Sequence, residues 1–385
     1  MSAPFLPYNL PDIGQDEIDA VVETLRSGWL APGPRTLAFE QAFAERLGVR
    51  HAVAVNSCTA GMHLALLACG VGPGDEVIVP AITFPATANV VIHTGATPVL
   101  ADVDPDSLDL DPASALGRLS RRTKALLPVH YAGQACRMDE LRGIARERGL
   151  RVIEDAAHAF GTTYRGAPVG RTDDAAVFSF YVTKNITTGA GGMVTTNDDG
   201  VAEEVRRRRT HGLTANAWDR YTESGTPFYQ VVAAGFNYTM PDLEAAIGLV
   251  QLRRADAFLA RRRELAARYQ ALLADLPELV LPAEREPGHS WHLYVVRLRR
   301  GALGIDRDGF LRKLRDEGIG TSVHFIPLYE HPYYRETFGW RREDYPNAAS
   351  AFDAIMSLPL YTRMTDGDVE RVAQAVRRVV ERHRR

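Results

Sequence analysis

The chain is poor in the features that mark several common classes of protein. It has three cysteines in 385 residues, Cys58, Cys69 and Cys136. An odd number with no C-x-x-C spacing supports neither a disulfide framework nor a structural zinc site, and it fits a reducing cytoplasm. An excess of one charge is also missing. The formal net charge is −3, which argues against a nucleic-acid or anionic-membrane surface. The single arginine run, Arg206 to Arg209, follows Glu203 and Glu204. It reads as a solvated helix end that suits the negative pole of the helix dipole. No apolar stretch is long enough to span a bilayer. The opening MSAPFLPYNLPDIGQDE lacks a basic-then-apolar signal pattern, so a cytoplasmic protein is expected.

Several catalytic signatures are missing too. No G-x-G-x-x-G follows the first strand, which disfavours a dinucleotide site. There is no H-E-x-x-H and no cluster of cysteines for a metal, and no G-x-S-x-G elbow for a nucleophilic serine.

What is present is a globular composition, 45% apolar and 24% charged, long enough for one large domain and a smaller one. QDEIDAVVETLRS (15–27) and TLAFEQAFAERLG read as helices from their apolar spacing. From residue 51 short apolar runs alternate with helical stretches: HAVAVN, DEVIVP, TPVLADV, KALLPVH, RVIEDA and AAVFSFY. Nearly continuous apolar strands between helices indicate an α/β sandwich around a mainly parallel sheet. A long helix is expected from Pro241-Asp242, capped by Thr239, with WHLYVVRL and two further helices beyond it. Residues 1–245 then form the large domain and 246–385 a smaller α+β domain.

Three stretches carry residues suited to chemistry. NSCTAG (56–61) lies between a strand and a helix, where unpaired N–H groups and the dipole suit a phosphate. Ordinary capping by Ser57 or Thr59 is the plainer account. VIEDAAHAFGT (152–162) sets Asp155 at a strand's carboxyl end with His158 three residues on, facing the crevice where α/β proteins bind ligands. Alone, these residues read as a helix-capping acid and a structural histidine. VFSFYVTKNITTGAGGMVTTN (177–197) places Lys184 at a glycine-rich turn between two strands. A lysine shielded from water loses basicity and can attack a carbonyl, although a single lysine in a turn is usually only polar surface. Together, a lysine for a Schiff base, an acid for a pyridine nitrogen and a helix N-terminus for a phosphate meet the needs of pyridoxal phosphate.

At this point the chain resembles the DegT/DnrJ/EryC1/StrS family of sugar aminotransferases, pyridoxal-phosphate enzymes of fold type I. SGWLAPGPRTLAFEQAFAERLGV, NSCTAGMHLAL, DEVIVPAITFPATANVV, PVHYAGQACRMDEL, VIEDAAHAFGT, FSFYVTKN, GFNYTMPDLEAAIGLVQL and WHLYVVRL carry the likeness. The resemblance implies that Lys184 is the Schiff-base lysine and proton shuttle, and that Asp155 pairs with the pyridine nitrogen. It places His158 near the ring hydroxyl and stacks Phe84 on the ring. It puts Ser57, Cys58, Thr59 and Ser179 at the phosphate, with Asn237 reaching it from a neighbouring subunit, so a homodimer with shared sites is implied. Trp29, Tyr181 and His324 are candidates for the sugar-nucleotide pocket, for which packing is an equally good account.

Cys58 stands where relatives often carry glycine, Ala190 where an acid is frequent and Thr239 where an arginine is frequent. Lys184 is intact, unlike the histidine of relatives that dehydrate sugars. The expected activity is amination of a nucleoside-diphosphate keto sugar by an amino acid, L-glutamate, through pyridoxamine phosphate. The ITTGAGGM turn is similar to that of 4-keto-sugar enzymes, pointing to a 4-keto-6-deoxyhexose. A C3 keto-sugar or cyclitol aminotransferase is the alternative among enzymes, and a non-catalytic cofactor-binding protein the alternative outside them.

Overall fold

Runs of Val, Ile and Ala form strands here because β-branched side chains pack well on a pleated surface covered on both faces. The computed structural model describes residues 4–214, 228–285 and 287–385. Its strands begin with β1 (His51–Val55), β2 (Glu76–Pro80), β3 (Thr97–Ala101), β4 (Thr123–Leu126) and β5 (Arg151–Asp155). A two-residue hairpin, β6 (Thr163–Tyr164) and β7 (Ala167–Pro168), precedes β8 (Ala175–Ser179) and β9 (Gly192–Thr196). Apart from the hairpin these make one seven-stranded sheet in the order β1-β9-β8-β5-β4-β2-β3. β9 runs antiparallel to both its neighbours, and the remaining pairs are parallel.

The helices of the same region are α1 (Gln15–Ser27), α2 (Pro34–Leu47), α3 (Cys58–Ala68), α4 (Ala86–His93), α5 (Pro112–Gly117), α6 (Met138–Arg148) and α7 (Asp199–Arg209). Val53, Val55, Val77, Val79 and Val177 pack on one face with residues of α3, α4 and α7. Ala52, Ala54, Phe178 and Met193 pack on the other with Phe39 and Phe43 of α2. Alternate residues of each strand therefore enter different cores, which is why the strands read as continuously apolar.

The 32-residue α8 (Asp242–Leu273) serves two cores. Its Ala245, Leu252 and Ala255 join the α2 side of the main sheet. Its Leu265, Tyr269 and Leu273 join a second core. At Gly248 a Cβ would come within 2.7 Å of the Phe39 ring, so the absence of a side chain sets the approach of α8 to α2. The second core lies under the antiparallel sheet of β10 (Leu279–Val280), β11 (Tyr294–Leu298) and β12 (Ile355–Leu358), with α9 (Arg307–Asp316) and the buried stripe of α12 (Asp366–His383). Two short helices, α10 (Pro332–Phe338) and α11 (Pro346–Phe352), lie between α9 and β12.

Three local expectations differ from the structure. Thr239 does not cap α8: the cap residue is Pro241, and Thr239 Oγ1 donates to Asn237 Oδ1 at 3.3 Å. Arg209, at the end of the basic run, is not solvated but pairs with Glu40 beneath the sheet edge. On α1 the apolar spacing does not mark the inward face. Ile18 and Leu25 are exposed, whereas Glu17 is buried against the Gly14 N–H, Gln251 and Arg254. A satisfied carboxylate occupies an interior position, while Ile18 and Leu25 point outward and Val21 and Val22 are half-buried.

Candidate active site

The parallel strands bring their carboxyl ends to one edge, and there a cleft of about 600 Å³ opens. β5 ends in Asp155, β8 ends in Ser179, and the chain after β2 supplies Thr83 and Phe84; all four residues line the cleft. So do Ser57, Cys58, Thr59, His158, Tyr181, Lys184 and His324.

Lys184 is held by the turn between β8 and β9. Its N–H donates to the Tyr181 carbonyl at 2.8 Å. Thr187 Oγ1 donates to the Phe180 carbonyl at 2.9 Å and receives the Gly189 N–H at 2.9 Å, and Thr188 Oγ1 donates to the Ala190 carbonyl. These two threonines bond the loop to itself. Removal from water lowers the Lys184 ammonium to about 8, while the Cys58 thiol and the Asp155 carboxyl pull the other way. A substantial share of this amine is unprotonated at mildly alkaline pH.

Asp155 is buried and accepts one hydrogen bond on each oxygen. Its Oδ1 accepts the Ala157 N–H and its Oδ2 accepts Thr87 Oγ1, both at 3.1 Å. Burial pushes its carboxyl above the ordinary aspartate range, and those two donors and Lys184 restrain the rise. His158 is buried with its Nδ1 lacking a hydrogen-bond partner. Burial, Lys184 and His324 keep its ring far below the usual histidine range, so it is neutral.

At the other end of the cleft Ser57 caps α3, accepting the Ala60 N–H at 3.1 Å. The N–H groups of Cys58 and Thr59 occupy first-turn positions that a helix leaves without internal partners. The Cys58 thiol turns inward to the Val177 carbonyl at 3.6 Å, so its side chain does not fill the cup where glycine would otherwise be expected. β9 reaches this corner because Gly192 has no side chain. A Cβ there would sit 2.7 Å from both the Cys58 nitrogen and the Ser57 carbonyl carbon.

The remaining walls are aromatic. Phe84 and Tyr181 stay 58% and 54% exposed despite their size, and Phe84 meets Phe325 at 5.9 Å. Tyr8, Asn9, Thr83, His292, Ser322 and Phe325 also line the cleft and were not singled out from sequence. Thr83 and His292 lie in ITFPAT and WHLYVV, stretches already noted for other reasons. Tyr8 and Asn9 arrive by a long-range link, the bridge of Leu6 to Ile319.

Two expected site residues lie outside the cleft of the single chain. Trp29 packs over Gly33 at the start of α2. Asn237 is exposed, on a segment whose carbonyls accept from Asn56, the residue before Ser57.

These residues fit pyridoxal phosphate. A weakened amine, a buried anion-capable carboxyl, the first-turn N–H groups of Cys58 and Thr59, an exposed aromatic face and the unpartnered His158 Nδ1 are what that group's polar atoms and ring require. Among the described residues no cluster of three or more His, Cys, Asp or Glu could hold a metal.

A model of the DegT/DnrJ/EryC1/StrS aminotransferase family matches residues 11–377. The chain is 49% identical over 379 residues to the spore coat polysaccharide biosynthesis protein SpsC of Bacillus subtilis, covering 98% of this chain and 97% of that protein. A putative sugar aminotransferase from Streptococcus pneumoniae, Spr1654, superposes in its pyridoxamine-phosphate form with a TM-score of 0.91 at 33% identity, covering 98% and 99% of the two chains. Its pyridoxal-phosphate form gives 0.90. DesI, solved in the presence of its TDP-sugar product, gives 0.88 at 34% identity, covering 99% and 94%.

The fold and cleft define a pyridoxal-phosphate enzyme of fold type I. The chain belongs to the DegT/DnrJ/EryC1/StrS aminotransferase family, and it is a pyridoxal-phosphate-dependent sugar aminotransferase.

Proposed function

We propose that the enzyme moves the amino group of L-glutamate to the 4-keto carbon of a nucleoside-diphosphate 6-deoxyhexose. The observation that carries the reading is Lys184, its ammonium lowered to about 8, in one cleft with buried Asp155 and the exposed face of Phe84. When bound, the cofactor withdraws electrons from the carbon bearing the amine and makes its proton removable. Lys184 would hold the cofactor through Nζ and, as a free amine, would take and return that proton. Asp155 would keep a positive charge on the ring nitrogen, and a cation there favours the charged form of a carboxyl that burial pushes toward protonation. Neutral His158 would serve the ring hydroxyl. Ser57, Ser179 and the N–H groups of Cys58 and Thr59 would take the phosphate, and Phe84 would cover the ring.

The TDP-sugar product named for DesI supports a nucleotide-linked substrate, and the ITTGAGG turn supports position 4. Trp29, Tyr181 and His324 remain the proposed sugar-side residues, of which the last two line the cleft. A homodimer is proposed, with Asn237 of each chain reaching the other's phosphate. The outward apolar residues Ile18, Leu25, Leu37, Val231 and Val232 support it. A division near residue 245, inside α8, and a cytoplasmic location belong to the same proposal. No helix among the described residues is long and apolar enough to cross a membrane.

The test is the visible spectrum of the purified enzyme, which should bleach on adding glutamate and recover with a 4-keto-6-deoxyhexose nucleotide. Recovery only with a 3-keto sugar or a cyclitol ketone would move the reaction to another carbon or substrate. A spectrum indifferent to every amino acid would overturn the donor half of the reading.

A further inference from the structure

The wall of the cleft beside His158 is built from a strained turn. Trp291 has φ 49°, a left-handed conformation that a bulky side chain seldom adopts. Two residues, His289 and Arg262, over-determine it. Trp291 is buried with its ring stacked on His289 at 4.1 Å, and its N–H donates to His289 Nδ1 at 2.9 Å. Arg262, buried on α8, donates Nη1 to the carbonyls of Trp291, His292 and Leu360 at 3.1, 3.2 and 3.0 Å. Strain that is held so firmly near a catalytic cleft calls for a purpose.

The turn presents His292. Its Nδ1 is 3.2 Å from Oδ1 of Asn185, the residue next to Lys184. Asn185 cannot be flipped, because its amide nitrogen donates to two carbonyls, Phe160 at 3.3 Å and Ser290 at 3.1 Å. Oδ1 must therefore accept, and His292 must carry its proton on Nδ1. The His292 ring lies 4.4 Å from that of His158, and His158 is stacked at 5.6 Å on Phe325 from its own side. The charged and titratable groups facing His292 are His158, Lys184, Arg262 and His324, and together with burial they keep it neutral.

We propose that His292 is a positioning residue for the transamination: oriented through Asn185, it sets the His158 ring against the cofactor and ties that ring to the turn carrying Lys184. The proposal rests on the cofactor reading of the cleft. If wild type lacked a visible cofactor band, that reading would fall. If only the variants below behaved like wild type, this proposal would fall alone.

The experiment uses the holoenzyme and two substitutions. His292→Phe keeps a ring but loses the Nδ1 donor; His292→Asn keeps an N–H donor but loses the ring against His158. Both should retain cofactor through desalting. Both should also shift the pH midpoint of the cofactor's visible absorption by ~0.5 unit or more and lower kcat about tenfold with little change in KM for the amino donor. A wild-type midpoint and kcat in His292→Phe would overturn the proposal, because packing alone would then suffice. Should that variant not fold, wild-type values in His292→Asn would overturn it equally.

Discussion

At the scale of single residues, the proposed chemistry turns on how far the protein strips water from Lys184. Because its ammonium is lowered to about 8, the amine is mostly charged and unreactive below that pH and mostly free above it. Capture of added pyridoxal phosphate by the apoenzyme should therefore quicken from pH 7 to pH 9, with a midpoint near 8. Stopped-flow absorbance measures this, and a midpoint near that of an ordinary lysine would contradict the site described. Lys184→Ala should lower turnover on the order of a thousandfold, read as steady-state kcat with glutamate. Thr87→Val removes a hydrogen bond to the Asp155 carboxyl. Bonds to charged groups contribute ~1.5–3 kcal/mol, so cofactor affinity should fall about tenfold or more in an equilibrium titration, with the fold intact by circular dichroism.

Among the elements, the corner proposed for the phosphate depends on two backbones meeting. β9 can lie under the first turn of α3 only because Gly192 has no side chain. In Gly192→Ala the new Cβ would face backbone atoms of Ser57, Cys58 and Phe178 within 3 Å, and backbone cannot swing aside as a side-chain tip can. The variant should lose ~2 kcal/mol of stability and bind cofactor weakly. Thermal unfolding of apo and cofactor-loaded protein measures both effects, and an unchanged melting temperature would show that the corner has slack. Ser57→Ala removes the α3 cap and should cost ~1 kcal/mol. Helix α1 carries the complementary lesson. Its periodicity identified a helix correctly but not which face was interior, because Glu17 is satisfied by Gln251 and Arg254, more than 200 residues away.

For the molecule as a whole, the exposed Ile18 and Leu25 of α1 and the exposed Val231 and Val232 are the apolar surface on which the dimer proposal rests. Leu25→Asp with Val231→Asp should elute as a monomer and lose activity; light scattering that still reports a dimer would place the contact elsewhere. The shared site has a sharper test. Lys184→Ala and Asn237→Ala proteins, each impaired alone, should recover activity when unfolded together and refolded as a mixture. Hybrid dimers then contain one cleft with both residues intact. No recovery would mean that Asn237 acts within its own chain or not at all.

The residues proposed as reagents were legible in the amino-acid order as candidates, and the structure brings them into one cleft. Lys184, Asp155 and the NSCTAG turn each follow an apolar run, and local alternation is enough to place them at strand ends facing a crevice. The alternating strands and helices announced the mainly parallel sheet for the same reason, since covering both faces leaves a local signature in every strand. What the order of residues left open was whatever depends on contacts between distant segments. The Lys184 ammonium is weakened by burial that no neighbouring residue in sequence reveals. His292 enters the cleft because Arg262 and Asn185 pin a strained turn, and Tyr8 arrives through a bridge to Ile319. Trp29 and Asn237 match as motifs yet lie outside the single-chain cleft. Residue type and spacing are local properties, whereas desolvation, strain and convergence exist only once the tertiary packing brings separate segments together.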